Sequence, residues 1–518
     1  WAATVLSVLT RALVFTMATI ALTSCVNDWL DLTPSDSIPS NSAITNYNDA
    51  KTALYGMYDG LQGNSTYTQY YASRMFYYGD VRGDDMQART QGMRSSSCYE
   101  MKYTIDDAPN MWNVQYNVLR RANRLIEAVE NNKITDAEKN QANVNNIYAQ
   151  AKSVRALVHF DLVKVYGMPY SFDNGASMGV PIVTTPIDPL NANAIPGRNT
   201  VAEVYTQIVK DLTEAIDSKA LNVSKSAGDN QGFIDEWAAK ALLTRVYIYM
   251  GKNQEALDMA KNIIENSPYS LWTKAQYANA WDKNNANHIN EMIFELVNSG
   301  SDDWADREGI AYLYHEDGYA DAICTKSFVD MLAQDPSDVR LDVILPVQLK
   351  TDDNGKPTDM YKTYGDNRIF INKFPMGSLG DMRLNNLPIL RLSEVYLNAA
   401  EAAAKLNDKT STAKYLNEII KNRTDDTKQL VTESTATLER VLLERRKELV
   451  GEGQRFFDAM RNNETVTRYT NEDEKGWHYS INKESQVFDR TYFRTILPIP
   501  VSETNANPTL KAQQNPGY

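Results

Sequence analysis

The most constraining stretch of this sequence is residues 237 to 268, which reads WAAKALLTRVYIYMGKNQEALDMAKNIIENSP. Apolar and small residues recur at helical spacing on both sides of Gly251-Lys252-Asn253, so the pattern predicts two helices joined by a tight turn. Ala256 and Ala260 are small enough to let the two helices cross closely, and Pro268 ends the second helix. Such a pair cannot bury its apolar faces alone, so it must stack on further helices.

The pair resembles a tetratricopeptide repeat, and a looser copy follows at residues 392 to 423, LSEVYLNAAEAAAKLNDKTSTAKYLNEIIKNR. Single amphipathic helices are predicted earlier in the chain, and strand signals are few. These helices cover residues 48–61, 111–129, 147–165 and 201–216. We therefore predict an all-α dominated fold, a tetratricopeptide-like scaffold of helical pairs with long loop insertions and a few short strands.

Two long segments interrupt the helical pattern, at about residues 62–110 and 269–373, and we call them the first insertion and the second insertion. Both combine tyrosine or tryptophan with arginine and aspartate. A sugar ring needs flat aromatic faces and side chains that hydrogen-bond hydroxyl pairs, so we predict that the insertions hold a ligand site. The alternative is that each aromatic side chain only packs its loop onto the scaffold.

Composition and motifs exclude several classes of function. The net charge of -13 argues against nucleic acid or an anionic membrane surface as the main partner. Cys25, Cys98 and Cys324 have neither disulfide nor zinc spacing, and the four histidines are not spaced as a metal pair, so no metal and no cofactor is predicted. The acidic pairs at 84–85 and 302–303 leave a glycoside hydrolase only as a distant alternative, because sequence neighbours rarely straddle a glycosidic bond.

The N-terminal region has the pattern of an export signal. Residues 12–22 carry no charge and are mostly apolar, which is too short to span a bilayer but fits the apolar core of a signal peptide. The run ends in Leu-Thr-Ser-Cys at Cys25 and resembles a bacterial lipobox. We predict a lipoprotein signal peptide at 1–24, a lipidated tether at 25–40 and a single domain at 41–518. An ordinary secretory signal with an incidental cysteine is the alternative.

The C-terminal third carries the most specific motif, ERRKELVGEGQRFFDAMR at residues 444–461, followed by LPIP and a final QNPGY. Together with YGDVRGDD, GVPIV and LPILRLSEVYLNAAEA, these segments resemble the SusD/RagB family of surface nutrient-binding lipoproteins from Bacteroidetes-type bacteria. The resemblance runs through nearly all of the predicted mature chain. The motif itself indicates scaffold, since Leu443, Val450, Phe456 and Phe457 are predicted to be buried. Its charged residues are predicted to form an ion-pair network that locks a helix pair: Glu444, Arg445, Arg446, Glu448, Glu452 and Arg455.

The resemblance implies capture of a nutrient without chemistry, so no enzymatic activity is expected. It implies a glycan-binding lipoprotein, anchored through Cys25 on the outer membrane and facing the cell exterior, which delivers oligosaccharide to a SusC-like TonB-dependent transporter. A RagB-like peptide binder and a mainly structural lid of the transporter stay open as alternatives, as does a bound calcium ion. The residues chosen as ligand contacts come from the two insertions, where family members hold their ligands: Trp304, Tyr312, Trp281, Tyr99, Asp84 and Arg89.

Overall fold

The computed structural model describes most of the predicted single domain. The described residues are 43–63, 70–89, 94–186, 196–281, 286–298, 308–315, 318–344, 369–374, 381–469, 478 and 481–518. The predicted signal peptide, the predicted tether with Cys25, and Trp304 lie outside these ranges. Within these ranges, no helix is both long and apolar enough to cross a bilayer.

The predicted helices are present, and most of their ends lie within a few residues of the predicted ones; the helix predicted at 147–165 begins earlier, at Gln141. In chain order the helices are α1 Tyr47–Gln62, α2 Arg74–Asp80, α3 Ser96–Glu100, α4 Trp112–Glu130, α5 Gln141–Tyr166, α6 Tyr170–Asp173, α7 Val201–Asp217, α8 Glu236–Met250, α9 Asn253–Asn266, α10 Lys274–Ala280, α11 Ile310–Tyr314, α12 Lys326–Leu332, α13 Leu341–Ile344, α14 Leu392–Lys405, α15 Lys409–Lys421, α16 Leu438–Leu449, α17 Arg455–Arg461, α18 Val501–Ala506 and α19 Pro508–Ala512. The strands of the described part are short: β1 Met86–Ala88, β2 Met292–Leu296, β3 Ala322–Cys324, β4 Leu387–Arg391, β5 Val466–Thr467 and β6 Val487–Phe488. The predicted fold class is confirmed.

Local signals set the ends of these helices. At the start of α7, the N–H of Glu203 donates to Thr200 Oγ1 (3.2 Å) and the N–H of Thr200 donates to Glu203 Oε2 (2.8 Å), which closes a capping box. Gly251 ends α8 with φ at +72°, in the left-handed region that glycine adopts without strain. These ends could be predicted because they depend only on residues within one turn.

The long helices stack in an order that follows the chain. Helix α4 packs between α1 and α5, and then α5 on α7, α7 on α8, and α8 on α9. Helix α9 packs directly on α14, although the second insertion separates them in sequence, and α14 continues the stack with α15 and α16. A single hydrophobic cluster runs through these helices and into both insertions. The insertions therefore project from a continuous helical stack.

The two insertions join each other through backbone and side-chain contacts. Strand β1 of the first insertion pairs antiparallel with β3 of the second, with Met86 opposite Cys324 and Ala88 opposite Ala322. In the protein core, the hydroxyl of Tyr314 in the second insertion donates to Asp80 Oδ2 in the first insertion over 2.8 Å. Residues more than 230 positions apart in sequence thus form one connected body.

The C-terminal motif forms the end of α16, a glycine-containing turn and α17. Val450, Phe456 and Phe457 are buried, as predicted. The prediction for Leu443 was wrong, because this side chain is only partly buried. The buried stripe of α16 includes Glu444 and Glu448, so charged side chains occupy the positions that usually carry apolar ones.

The ion pairs of this motif are extensive, but their partners differ from the prediction. Glutamates of the motif bind cations from outside it, and we call this set the buried ionic cluster. Its members have side chains at most 8% exposed: Glu291, Asp338, Arg340, Lys373, Arg391, Arg423, Glu444, Glu448 and Glu452. Since Glu291, Arg340 and Lys373 belong to the second insertion, the cluster fastens that insertion to α16.

The arginines of the same motif hold the first insertion. Arg455 Nε donates to Asp84 Oδ1 (2.7 Å), and Arg446 Nε donates to Asp85 Oδ2 (3.0 Å). Arg445 instead pairs with Asp458 on α17. The motif therefore anchors both insertions to the helical stack, in addition to linking α16 with α17.

Candidate functional site

Two tyrosines and several charged side chains form a partly exposed surface on the two insertions and on the segment that follows the second one. The ring of Tyr312 on α11 lies 5.7 Å from that of Tyr319, centroid to centroid, with an angle of 52° between their planes. The guanidinium of Arg94 lies 4.0 Å from the Tyr319 ring centroid. We call this region the tyrosine-arginine surface, and its members are Arg89, Arg94, Glu308, Tyr312, Tyr319, Asp381 and Arg383.

Arginine and carboxylate side chains frame the two rings as bidentate pairs. Arg94 Nε and Nη2 donate to the two carboxylate oxygens of Glu308, over 2.7 and 2.6 Å. These hydrogen bonds to Glu308 raise the pKa of Arg94 above its ordinary value. Arg383 Nε similarly donates to both oxygens of Asp381, at 2.8 Å each. All four side chains keep between 24% and 35% of their surface exposed, so they can still contact a ligand.

Asp321 links the segments of this surface through hydrogen bonds of its side chain and its backbone. Its side chain is buried and accepts the N–H groups of Arg94 (3.1 Å) and Ser95 (2.8 Å), as well as the Ser95 hydroxyl (2.6 Å). Its backbone carbonyl accepts the N–H of Arg89 over 2.8 Å, which extends the pairing of β1 with β3. Asp321 therefore fixes the positions of Arg89 and Arg94 relative to Tyr319, two residues away in sequence.

The spacing of the two tyrosine rings depends on the glycine beside Tyr319. The N–H of Tyr319 donates to the carbonyl of Tyr312 over 2.6 Å, so the backbones of these two residues lie in direct contact. A Cβ atom at Gly318 would lie 2.4 Å from that same carbonyl oxygen, closer than any real Cβ contact. Only glycine fits at this point, and the close approach of the two backbones that it permits brings the two rings side by side.

Two residues chosen from the sequence belong to this surface, Tyr312 through its ring and Arg89 through the hydrogen bond of its N–H to Asp321. Trp304, which was chosen from the same insertion as Tyr312, lies outside the described residues. For these three residues, contact with a ligand stays a prediction.

Trp281 occupies a different environment. It is 4% exposed and packs edge to face against Trp272, with ring centroids 5.2 Å apart and planes at 75°. The ammonium of Lys373 and the guanidinium of Arg391 each lie 5.2 Å from its ring centroid. Its ring therefore covers cations of the buried ionic cluster, and a ligand role for Trp281 stays a prediction that this arrangement does not favour.

Tyr99 and Asp84 also have partners within the protein. Tyr99 is 2% exposed, lies parallel to His478 with centroids 6.3 Å apart, and its hydroxyl is 3.2 Å from His478 Nδ1. Burial opposes ionisation of Asp84, but the charges of Arg455 and Arg446 win and hold its pKa well below the ordinary value. In this structure both residues stabilise the first insertion, and their ligand roles stay predictions.

Several members of the tyrosine-arginine surface were not chosen from the sequence. Tyr319 and Glu308 lie inside the second insertion, in stretches already noted for their aromatic and acidic residues. Asp381 and Arg383 lie beyond its predicted end at residue 373. The Asp-x-Arg spacing predicts a local ion pair, and the glycine before Tyr319 predicts a turn, but neither signal points to a binding surface.

The part of the chain that the structure describes contains no candidate metal site. No three histidine, cysteine, aspartate or glutamate side chains there are placed to hold a metal ion. The two described cysteines, Cys98 and Cys324, are buried free thiols, and burial raises the pKa of Cys98 to about 11. The surface therefore offers rings and charged forks for direct contact with a ligand.

Comparison with known proteins gives two overlapping family matches, which together cover residues 28–518. A family model described as the SusD family matches residues 210–518, and a model described as starch-binding and associating with the outer membrane matches residues 28–248. The first match alone covers more than half of the chain.

Solved structures and curated sequences agree with these matches. A SusD superfamily protein from Bacteroides thetaiotaomicron is 38% identical with a TM-score of 0.78, over 91% of this chain and 100% of that one. A putative sugar binding protein from Bacteroides vulgatus is 37% identical with a TM-score of 0.79, over 92% and 99% of the two chains. A SusD-like protein of Formosa agariphila is 23% identical over 96% of this chain and 97% of its own length. The resemblance seen in the C-terminal motif is thereby confirmed, and the chain belongs to the SusD family.

Proposed function

We propose that this protein is a cell-surface glycan-binding lipoprotein that captures an oligosaccharide and delivers it to a SusC-like TonB-dependent transporter. The tyrosine-arginine surface is the observation that carries the proposal. Support also comes from the family model described as starch-binding and from the 37% identical relative named as a putative sugar binding protein.

The chemistry of the surface suits a sugar ring. The C–H face of a pyranose is apolar and packs on an aromatic ring such as that of Tyr312 or Tyr319, while adjacent hydroxyls need paired donors and acceptors. Arg94 with Glu308, and Arg383 with Asp381, supply both kinds of group in fixed positions. Because these forks are already formed without a ligand, little conformational entropy is lost on binding.

Capture without hydrolysis also fits the described acidic residues. Of the two acidic pairs that could serve a glycoside hydrolase, Asp84 and Asp85 lie in the described part of the chain. Both form ion pairs with Arg446 and Arg455. Carboxylates that are bound in this way are poorly placed to act as acid and base on a glycosidic bond. We therefore propose binding, not catalysis, as the activity of the site.

Replacing Tyr319 with alanine should weaken glycan binding about 10- to 100-fold, because the ring supplies stacking area and also supports Arg94. The measurement is affinity electrophoresis against a panel of polysaccharides, followed by calorimetry with the oligosaccharide of the best ligand. Tyr55→Ala is the matched control, since Tyr55 is a 48% exposed tyrosine on α1.

Two outcomes would count against this function. Equal loss in the Tyr319 and Tyr55 variants would show that the effect is not specific to the tyrosine-arginine surface. Strong binding of peptides, with no glycan retained on the panel, would replace glycan capture by a RagB-like role in peptide uptake. Circular dichroism and thermal unfolding of each variant verify that the fold is intact.

Replacing Cys25 with alanine should move the protein from the membrane fraction to the soluble fraction without changing its fold. The reason is that the proposed anchor is a lipid on the Cys25 thiol, and an alanine has no group that can carry it. Fractionation with metabolic labelling by a fatty acid provides the measurement, and Cys324→Ala serves as the thiol control. Unchanged membrane association of the Cys25 variant would contradict the lipid anchor.

A further inference from the structure

Arg89 differs from the other arginines of the tyrosine-arginine surface because its guanidinium has no partner among the described residues. Arg94 and Arg383 each form a fork with a carboxylate. Arg89 makes no side-chain hydrogen bond or ion pair with any described residue, and its Nε is buried without an acceptor. The two terminal nitrogens likewise have no hydrogen-bond partner in the described part of the chain, and they are not among the buried atoms without a partner, so they face accessible space.

The position of this cation is nonetheless well defined. The N–H of Arg89 bonds the carbonyl of Asp321, and the preceding residue Ala88 is paired with Ala322 in the β1–β3 ladder. Burial of Nε shows that the stem of the side chain is packed against the protein. Arg89 is therefore an oriented cation at the edge of a rigid strand pair, next to the segment that carries Tyr319.

An unpaired, partly buried guanidinium selects for a particular ligand chemistry. Its planar fork matches the two oxygens of a carboxylate or of a sulfate ester, so that two parallel hydrogen bonds form together with the attraction between opposite charges. A sugar hydroxyl offers neither the second acceptor oxygen in that geometry nor the negative charge. The chain as a whole carries a charge of -13, so it has no general attraction for anions. Selection of an anion at this surface must therefore come from a local cation such as Arg89.

We propose that the glycan captured at the tyrosine-arginine surface is anionic, and that Arg89 binds its uronate carboxylate or sulfate ester. This inference rests on the proposed function, because it specifies the class of glycan for the same surface. In the bound complex, Arg89 forms the fork that it lacks in the free protein, while the tyrosine rings stack on the sugar.

The test compares glycans that differ only in charge. Calorimetry is run with an oligogalacturonate hexasaccharide and its carboxyl-reduced counterpart, and with a chondroitin sulfate hexasaccharide and its desulfated, carboxyl-reduced counterpart. At least one anionic member should bind about tenfold or more tightly than its neutral counterpart. Preference within the first pair identifies the carboxylate. Where the preference is confined to the second pair, a chondroitin hexasaccharide that is desulfated but keeps its carboxylates decides between the two groups: loss of binding identifies the sulfate ester, and retained binding identifies the carboxylate.

The Arg89→Gln variant should lose this preference, so that the charged and neutral members of the pair bind within about twofold of each other. Arg121→Gln is the matched control, since Arg121 is a 40% exposed arginine paired with Asp59 on α1, and it should keep the full preference. A second measurement on the unmodified protein needs no variant: raising the salt concentration several-fold should weaken binding of the anionic glycan far more than that of its neutral counterpart.

The outcomes separate this inference from the proposed function. Equal affinity for charged and neutral members, with binding still dependent on Tyr319, overturns the anionic class and leaves glycan capture in place. A charge preference that survives in Arg89→Gln also overturns the inference, because another cation then makes the contact. Binding of peptides with no glycan retained overturns both.

Discussion

Replacing Glu448 with glutamine should lower the free energy of unfolding by about 3 to 5 kcal/mol. Glu448 is fully buried at the centre of the buried ionic cluster. Arg423 donates to both of its oxygens, over 2.9 and 3.0 Å, and Arg391 and Arg340 contact them at 3.2 and 3.3 Å. Glutamine keeps the shape of the side chain but removes the charge and turns an N–H group toward the arginines, which leaves buried cations without a full set of counter-charges.

The ionisation of Glu448 does not limit this effect near neutral pH. Burial opposes the charged form, but the charges of Arg423 and Arg391 hold the pKa of Glu448 far below its ordinary value. The measurement is urea unfolding at neutral pH, monitored by circular dichroism and by tryptophan fluorescence. Trp272 and Trp281 cover the cluster, so fluorescence also reports its local loosening.

Glu418→Gln provides the matched control for this prediction. Glu418 forms a pair with Lys421 at 3.3 Å, and the two side chains are 43% and 56% exposed. Exposed pairs contribute little, so the control should change the unfolding free energy by less than about 0.5 kcal/mol. A comparable small loss in Glu448→Gln would show that the cluster is not a major source of stability.

Replacing Asp80 with asparagine should make the protein less sensitive to rising pH. Asp80 is buried, accepts the Tyr314 hydroxyl at 2.8 Å on Oδ2 and the Gly453 N–H at 3.0 Å on Oδ1. Burial raises the pKa of Asp80 to about 8 from an ordinary 3.8, despite these two hydrogen bonds, with Glu452 raising it further and Lys373 opposing. The folded chain therefore keeps a proton that the unfolded chain releases.

The sign follows from the number of protons bound in each state. Between about pH 4 and pH 8 the folded protein binds one more proton at Asp80 than the unfolded protein, so this residue lowers stability progressively as the pH rises. Asparagine stays neutral, can accept the Gly453 N–H and can donate to the Tyr314 hydroxyl. Relative to wild type, the variant should therefore gain roughly 2 to 4 kcal/mol between pH 5 and pH 8.

Urea unfolding of both proteins across this pH range provides the measurement. Asp258→Asn is the control, since that carboxylate is exposed on α9, and its stability should follow the wild-type curve. Parallel curves for Asp80→Asn and wild type would mean that Asp80 is already ionised in the folded protein at pH 5. In that case a charged carboxylate, with no extra proton, would join α2 to α11 and to the turn before α17.

The sequence predicted the helical stack well because its signals are local. The capping box at Thr200 and the glycine at 251 act within one turn, and the apolar spacing of α8 and α9 shows which faces are covered. Leu443 is instructive, because a leucine in α16 was assigned to the core while the buried stripe of that helix carries glutamates. Periodicity identifies the helix, but it does not identify which face of α16 is buried when charged residues take that face.

Prediction of the candidate site was less complete. Composition pointed to Tyr312 and Arg89, which the structure places on one surface, but it pointed equally to Trp281 and Tyr99, which are buried. The same side chain can stack on a sugar or on a neighbouring guanidinium, and the sequence contains no signal that distinguishes these uses. Arg383 was missed because its proximity to Tyr312 arises only when the turn at 382–384 packs on α11.

The sequence by itself determined the helices, their order, the family and the presence of two aromatic insertions, since each depends on residue types at short spacing. Tertiary structure alone decided which aromatic and charged side chains stay exposed. Asp84 meets Arg455 across 371 positions, and Arg94 meets Glu308 across 214. Burial and ion pairing depend on which distant segments come into contact, so the division between packing residues and surface residues emerges only when β1 pairs with β3 and both insertions are fastened to α16.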